Sequence, residues 1–179
     1  MDDFRRQSTF GERLMSFVRE ERGASLVEML VAVAISVMVI GIITTSVVQF
    51  MLVNRWGNDQ LLVSSDLQVA SLWLGRDGPE ARAFTPDTVD PNEYGTFSWV
   101  DQNLIQHQHR YYYDPGKGDL VREYLRGGVP QSTLSVARRI AAAGDITFAV
   151  SGDLVTVTIT STSGEVSETA EINLALRSD

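Results

Sequence analysis

Glu28 is the most conspicuous chemical group in this sequence because it stands alone in an apolar segment. The four residues before it, Ala24 to Val27, are uncharged, and residues 29–54 after it contain no charged residue. An unpaired carboxylate costs about 2.5 to 3.5 kcal/mol at the centre of a bilayer and less near its interface. Glu28 is therefore predicted either to mark the interfacial end of an ordinary anchor or to pair with a cation.

Histidine and cysteine, the usual zinc ligands, are scarce. The chain has no cysteine, which excludes a disulfide, a thiolate metal site and a cysteine nucleophile. Its only histidines, His107 and His109, are two residues apart and would point to one face of a strand. We expect both to be solvated polar side chains, and we assign no metal.

Catalytic patterns are also lacking. Asp77 with Glu80, and Asp87 with Asp90, form pairs of carboxylates that we expect to be solvated in loops. Gly116-Lys117 lacks the rest of a phosphate-binding loop, and although serines are many, no histidine or lysine sits in a recognisable nucleophile motif. The sequence therefore predicts no enzyme and no cofactor.

Net charge argues against nucleic acid as a direct partner. The whole chain carries −8. Residues 1–23 hold five Arg against five Asp and Glu and sum to zero, whereas residues 55–179 hold ten Lys and Arg against seventeen Asp and Glu, which leaves −7. A surface that binds nucleic-acid phosphates needs a basic patch, and this composition gives none.

Two helical patterns follow one another at the start of the chain. The 26 residues 29–54 would span about 39 Å as a helix, more than the roughly 30 Å of hydrocarbon in a bilayer. Val63, Leu67, Ala70 and Leu74 then recur at helical spacing. We predict one helix from about residue 26 to about residue 74, ended by Gly75 and Gly78-Pro79, with Trp56 and Trp73 packed in the core.

The remaining chain reads as short strands separated by turns, so the predicted fold class is α+β. Residues 96–100, 109–113 and 120–125 form one antiparallel set, with a loop at residues 114–118. Residues 146–150, 154–160 and 166–176 form a second set, with turns at residues 151–153 and near Ser163-Gly164.

The polar N-terminal segment does not have the order of a secretory signal peptide, because small residues precede the apolar run instead of following it. Five Arg precede the run and only Arg55 lies near its far end, which places the leader in the cytoplasm by the positive-inside bias. The predicted organisation is a leader over 1–23, a transmembrane helix over 24–54, an amphipathic continuation over 55–74 and an extracytoplasmic β-rich head over 75–179.

Residues 22–30, with the sequence RGASLVEML, resemble the processing site of type IV prepilins and type II secretion pseudopilins. The resemblance implies a pilin-like fold and a membrane prepilin peptidase that cuts between Gly23 and Ala24 and methylates the new amine. It also implies that Glu28 meets that amine on a neighbouring subunit in a filament. The chain departs from the family in having Ala24 where Phe or Met is usual, and in lacking the proline that often kinks the anchor.

The later segments are similar to minor pilins of the J or W type. These segments are Arg76-Asp77, residues 111–113 with 120–123, and residues 174–177. The resemblance implies a minor subunit whose partners are the peptidase, other pilin or pseudopilin subunits, an inner-membrane assembly platform and membrane lipid. A major pilin, a singly anchored binding domain that never polymerises and an anchored enzyme are the alternatives, and motility, secretion and DNA uptake are the alternative roles of the filament.

Overall fold

A computed structural model describes residues 25–177 and has the predicted α+β class. Helix α1 runs over Leu26–Glu80 and is followed by eight antiparallel strands in two sheets. The chain divides between Phe50 and Met51 into two compact parts. The described residues of the first part belong almost entirely to α1, whereas the second contains the rest of α1 and both sheets.

The start of α1 is capped by Ser25, whose side-chain oxygen accepts a hydrogen bond from the backbone N–H of Val27 at 3.3 Å. Within the apolar part of the helix, the hydroxyls of Ser36, Thr44, Thr45 and Ser46 donate to the carbonyl four residues earlier, at 2.8 to 2.9 Å. These hydroxyls are thus satisfied by the helix itself, which continues unbroken through them.

The C-terminal end of α1 lies at Glu80, later than the predicted end near residue 74. Gly75, Gly78 and Pro79 belong to its last two turns. Tertiary packing explains this difference, because Gly78 is buried against Leu174 of the last strand. Helix-breaking residues are tolerated where contacts of this kind hold the backbone in place.

The first sheet has five strands in chain order. They are β1 (Ala83–Pro86), β2 (Glu93–Val100), β3 (Gln106–Asp114), β4 (Asp119–Arg126) and β5 (Val129–Ala137). The three predicted segments are confirmed as the middle strands β2 to β4. The two outer strands were missed, because β1 is only four residues long and β5 has weak alternation.

The second sheet has three strands, and all three were predicted. They are β6 (Ile146–Ser151), β7 (Leu154–Ser163) and β8 (Val166–Ala175), preceded by a short 3-10 helix, Ala143–Asp145. Each hairpin has a two-residue loop whose first residue is a glycine with positive φ, Gly152 at 60° and Gly164 at 58°. Two-residue hairpin loops need this conformation, which glycine adopts without strain.

The hydrophobic core lies between α1 and the inner faces of the two sheets. Its helical members are the predicted Val63, Leu67, Ala70 and Leu74. Phe148 of β6 joins the two sheets, because its ring stacks on Phe84 of β1 with 5.5 Å between ring centroids. Trp73 packs against this core as predicted. Trp56 is 60% exposed, so the prediction that it packs in the core is wrong.

Two glycines in the last turns of α1 provide a matched test of this packing. A Cβ added at Gly78 would lie 2.9 Å from the Leu174 Cβ, whereas one added at Gly75 would meet nothing within 4 Å. We expect Gly78→Ala to lower the free energy of unfolding by about 1 to 3 kcal/mol through overpacking. Gly75→Ala should raise it by about 0.5 to 1 kcal/mol, because alanine loses less backbone entropy in a helix.

The measurement is urea unfolding of the full chain in detergent micelles, followed by tryptophan fluorescence. Equal effects of the two substitutions would show that the end of α1 is not held against β8 as described.

Candidate functional site

Glu28 lies in the first turn of α1 and is exposed. A carboxylate at this position is favoured by the partial positive charge of the helix N-terminus. Gly23 and Ala24, the predicted processing residues, lie outside the described residues, as does the rest of the leader. The assembly role of Glu28 and the cleavage at Gly23 therefore stay predictions.

The apolar segment that follows Glu28 is long and apolar enough to cross a membrane, and none of it is buried in the fold. One segment of this kind near an N-terminus fits a single membrane anchor or a signal sequence.

Asp77 is the centre of a buried polar cluster in the head, which corrects its prediction as a solvated loop carboxylate. Its side chain is 0% exposed and bonds to Arg122, Tyr111 and His109. The Arg122 guanidinium donates to both carboxylate oxygens, with 2.9 Å from Nη2 to Oδ1. The Tyr111 hydroxyl donates to Oδ2 at 2.6 Å.

Sheet register explains why these four side chains meet. His109 and Tyr111 are two residues apart on β3 and share a face, and Arg122 of β4 lies directly opposite Tyr111. Asp77 approaches this face from the last turns of α1. Alternation along β4 places Arg122 on the same face as the buried Leu120, and this was the signal in the sequence that an arginine points into the core.

His109 bridges the two members of the ion pair, so its prediction as a solvated residue is wrong. Its Nδ1 lies 3.0 Å from the Asp77 Oδ1, and its Nε2 lies 2.8 Å from the Arg122 Nη2. A neutral imidazole with its proton on Nδ1 satisfies both contacts, since it donates to the carboxylate and accepts from the guanidinium. The Trp73 ring covers the guanidinium, 4.7 Å from the ring centroid to Cζ.

Hydrogen bonding outweighs burial in deciding the charge state of Asp77. Burial raises the pKa of this carboxyl, but hydrogen bonds from His109, Arg122 and Tyr111 together bring the pKa below its usual value of 3.8. Burial and the neighbouring Asp77 charge raise the pKa of Tyr111 well above 10.0. The cluster is therefore a buried carboxylate whose donors Tyr111 and Arg122 both have a raised pKa and stay protonated.

His107 is half-buried on the same face of β3, which also corrects its prediction as a solvated residue. Its ring nitrogens lie 2.6 Å from the Tyr124 hydroxyl and 3.2 Å from an Asp101 carboxylate oxygen. Its ring stacks on Trp99, with 5.2 Å between centroids. His107 thus packs in an aromatic ladder across three strands.

Ligand atoms of Asp77, Glu80 and His109 lie within 4.8 Å of one another, a spacing compatible with a cation site. The Asp77 oxygens, however, already accept hydrogen bonds from Arg122, Tyr111 and His109. A divalent cation would have to displace the guanidinium or lie beside its positive charge. We therefore describe the cluster as an ion pair that joins α1 to the first sheet.

The class of this protein is indicated by its fold and not by a match to a known protein. The chain matches no protein-family model, no curated protein and no solved structure. Its long N-terminal apolar helix, whose C-terminal part packs on antiparallel sheets, is a pilin-like architecture.

Removal of the Asp77 charge should strongly destabilise the head. We expect Asp77→Asn to lower the free energy of unfolding by about 3 to 5 kcal/mol, because Arg122 is left buried without its counter-ion. The double variant Asp77→Leu with Arg122→Met should recover much of this loss, because no buried charge remains. Glu80→Gln, one turn further along α1 at an exposed position, should change stability by less than about 0.5 kcal/mol.

Urea unfolding of the full chain in detergent measures all of these variants. An Asp77→Asn variant as stable as Glu80→Gln would contradict a structural role for the ion pair.

The lowered pKa of Asp77 gives its stability contribution a defined pH dependence. The contribution is fully present above the unfolded-state pKa near 3.8 and is lost as pH falls below 3.8 through the lower pKa of the folded state. One extra proton bound on unfolding gives a slope of at most about 1.4 kcal/mol per pH unit. The difference in stability between the wild type and the Asp77→Leu, Arg122→Met variant should therefore shrink only below pH 3.8.

The measurement compares the free energy of unfolding of the two proteins at each pH. The pKa of Asp66 is raised, so Asp66 also makes stability depend on pH, but it does so equally in both proteins and cancels in the difference. A difference that changes mainly above pH 5 would contradict this assignment of the charge.

Proposed function

We propose that this chain is a prepilin-like structural subunit, anchored by α1 and assembled through that helix into a pilus or pseudopilus. The observation that carries the proposal is the exposed apolar part of α1, in which Glu28 is the sole charged residue among residues 25–54. A helix that presents apolar side chains all round needs lipid or other helices as its surroundings.

The processing motif supports a maturation step. A prepilin peptidase cuts between Gly23 and Ala24 and methylates the Ala24 amine. In the filament the Glu28 carboxylate pairs with that amine on a neighbouring subunit, because an uncompensated charge is costly in a low-dielectric helix bundle. The leader is cytoplasmic, and the head lies outside the cytoplasm as part of a single-pass inner-membrane protein.

The head is a packing and binding module without enzymatic activity. Support comes from the buried cluster, whose polar side chains bond to one another and present no reactive group to a substrate. We propose a minor subunit, which contacts different pilin or pseudopilin subunits and the inner-membrane assembly platform. A net charge of −7 on residues 55–179 opposes crowding of identical heads, although salt screens this repulsion beyond about 10 Å.

The proposal is tested on the full chain in its native host, by mass spectrometry of the membrane-extracted N-terminus and of sheared filaments. We expect a methylated Ala24 as the first residue. Gly23→Val should block processing, because a branched side chain crowds the scissile bond. Glu28→Gln keeps the shape of the side chain and removes its charge, so it should be processed normally but enter filaments poorly.

Each alternative has its own outcome in this experiment. Retention of Met1, or a cut downstream of Asn54, contradicts the prepilin assignment. Normal incorporation of Glu28→Gln contradicts pairing with the amine. A processed chain that is absent from filaments favours the singly anchored binding domain, and a chain that is the most abundant filament subunit favours a major pilin.

A further inference from the structure

A groove of about 330 Å³ runs between α1 and the edge strand β5. Its helical wall includes Leu62, Ser65 and Val69, and its strand wall includes Ser135 and Ala137. Both walls belong to the second part of the chain, residues 51–179. The groove therefore lies between a helix and a strand, and its lining is apolar at Leu62 and Val69 and polar at Ser65, Asp66 and Ser135.

The strand wall of this groove has an open backbone edge. β5 is the last strand of its sheet and pairs only with β4. Among the described residues, Val129–Ala137 makes no backbone-to-backbone hydrogen bond outside that pairing. Its residues 129–134 are exposed and continue from the groove, whereas Ser135, which lines the groove, is half-buried and Ala137 is buried. An edge of this kind can accept a further strand, which is paired through main-chain hydrogen bonds.

One end of the groove carries two arginines. Arg138 is exposed and forms no ion pair with any described residue. Arg139 donates to the Asp66 Oδ2 at 2.8 Å and to the Leu62 carbonyl at 2.9 Å, while its Nε is buried without a partner among the described residues. Asp66 lines the groove as well and pairs with Arg139, so Arg138 contributes the one positive charge here that has no ion-pair partner among the described residues.

Arg139 is held in this place by an unusual backbone conformation. Its φ is 58°, in the left-handed region that residues other than glycine rarely adopt. The carbonyl of Arg139 accepts a hydrogen bond from the Thr162 N–H at 2.9 Å, and Ser161 donates to the carbonyl of Arg138 at 3.2 Å. β7 therefore fixes the turn that brings both arginines to the end of β5.

We infer that this groove binds an extended, acidic segment of another protein as an added strand on β5. The backbone of that segment pairs with the open edge, its apolar side chains contact Leu62 and Val69, and a carboxylate at its end meets Arg138. Charge complementarity selects an acidic partner.

The test uses the full wild-type chain in detergent micelles and a fluorescein-labelled nine-residue peptide of alternating valine and threonine that ends in two glutamates. Fluorescence anisotropy should detect saturable binding. A peptide that ends in two lysines should bind at least about tenfold more weakly, because its charges meet Arg138 unfavourably. An acidic peptide with alternate amides N-methylated should not bind, because it cannot pair with a strand edge.

Charge variants of the protein locate the site. Arg138→Glu should weaken binding by about tenfold. Arg126→Glu, at an exposed position at the opposite end of the same sheet, should leave it unchanged. Val69→Glu should weaken binding and Val69→Lys should strengthen it, since Val69 is 40% exposed and lines the groove. Opposite effects of these two substitutions distinguish a charge effect from a steric one.

Several results would overturn the inference. These are absent binding, equal binding of the N-methylated peptide, and equal effects of Arg138→Glu and Arg126→Glu. Arg138-dependent binding to anionic nanodiscs but not to the peptide would assign the arginine to a lipid surface. Arg138-dependent dimers in sedimentation would assign the groove to a second copy. Peptide binding requires neither cleavage nor polymerisation, so its failure is distinguishable from failure of the filament role.

Discussion

The buried ion pair between Asp77 and Arg122 is the interaction on which the geometry of the head depends. It connects the end of α1 to the middle of the first sheet, at a place where both side chains are almost free of solvent. Two buried charges are tolerated only where their geometry is good and their remaining donors and acceptors are satisfied. The ion pair is satisfied in this way by three neighbours, Tyr111, His109 and Trp73. The end of α1 is therefore fixed relative to β3 and β4.

A second ion pair, Asp66 with Arg139, contrasts with the first. Burial raises the pKa of Asp66, and the Arg139 charge and the hydrogen bond from Ser161 oppose this without cancelling it. Asp77 has a lowered pKa, whereas the pKa of Asp66 stays raised although Arg139, Ser161 and the Arg138 backbone N–H all donate to it, and the Arg139 Nε has no partner among the described residues. The first pair thus has a structural role, because both oxygens of Asp77 accept hydrogen bonds. The second pair lies beside the groove, where the Arg139 Nε remains without a partner among the described residues.

The head and the apolar part of α1 perform separable tasks in the proposed function. The apolar part contributes hydrophobic surface and one carboxylate, which are the properties needed for lipid insertion and helix association. The head contributes edges and grooves whose charges can select among partners. A subunit built this way can share one assembly mechanism with other subunits while differing from them in the contacts of its head.

The sequence alone determined the α+β class, the apolar and amphipathic parts of one helix, and six of the eight described strands, β2 to β4 and β6 to β8, to within a few residues. These follow from periodicity and turn residues, which act locally. It did not determine the outer strands β1 and β5, the extension of α1 to Glu80, or the burial of Asp77 and His109. Those features depend on register and on contacts between residues distant in sequence, such as the 45 residues that separate Asp77 from Arg122. Only the tertiary structure could decide them, because whether a charged side chain is solvated or buried depends on the partner that the fold brings to it.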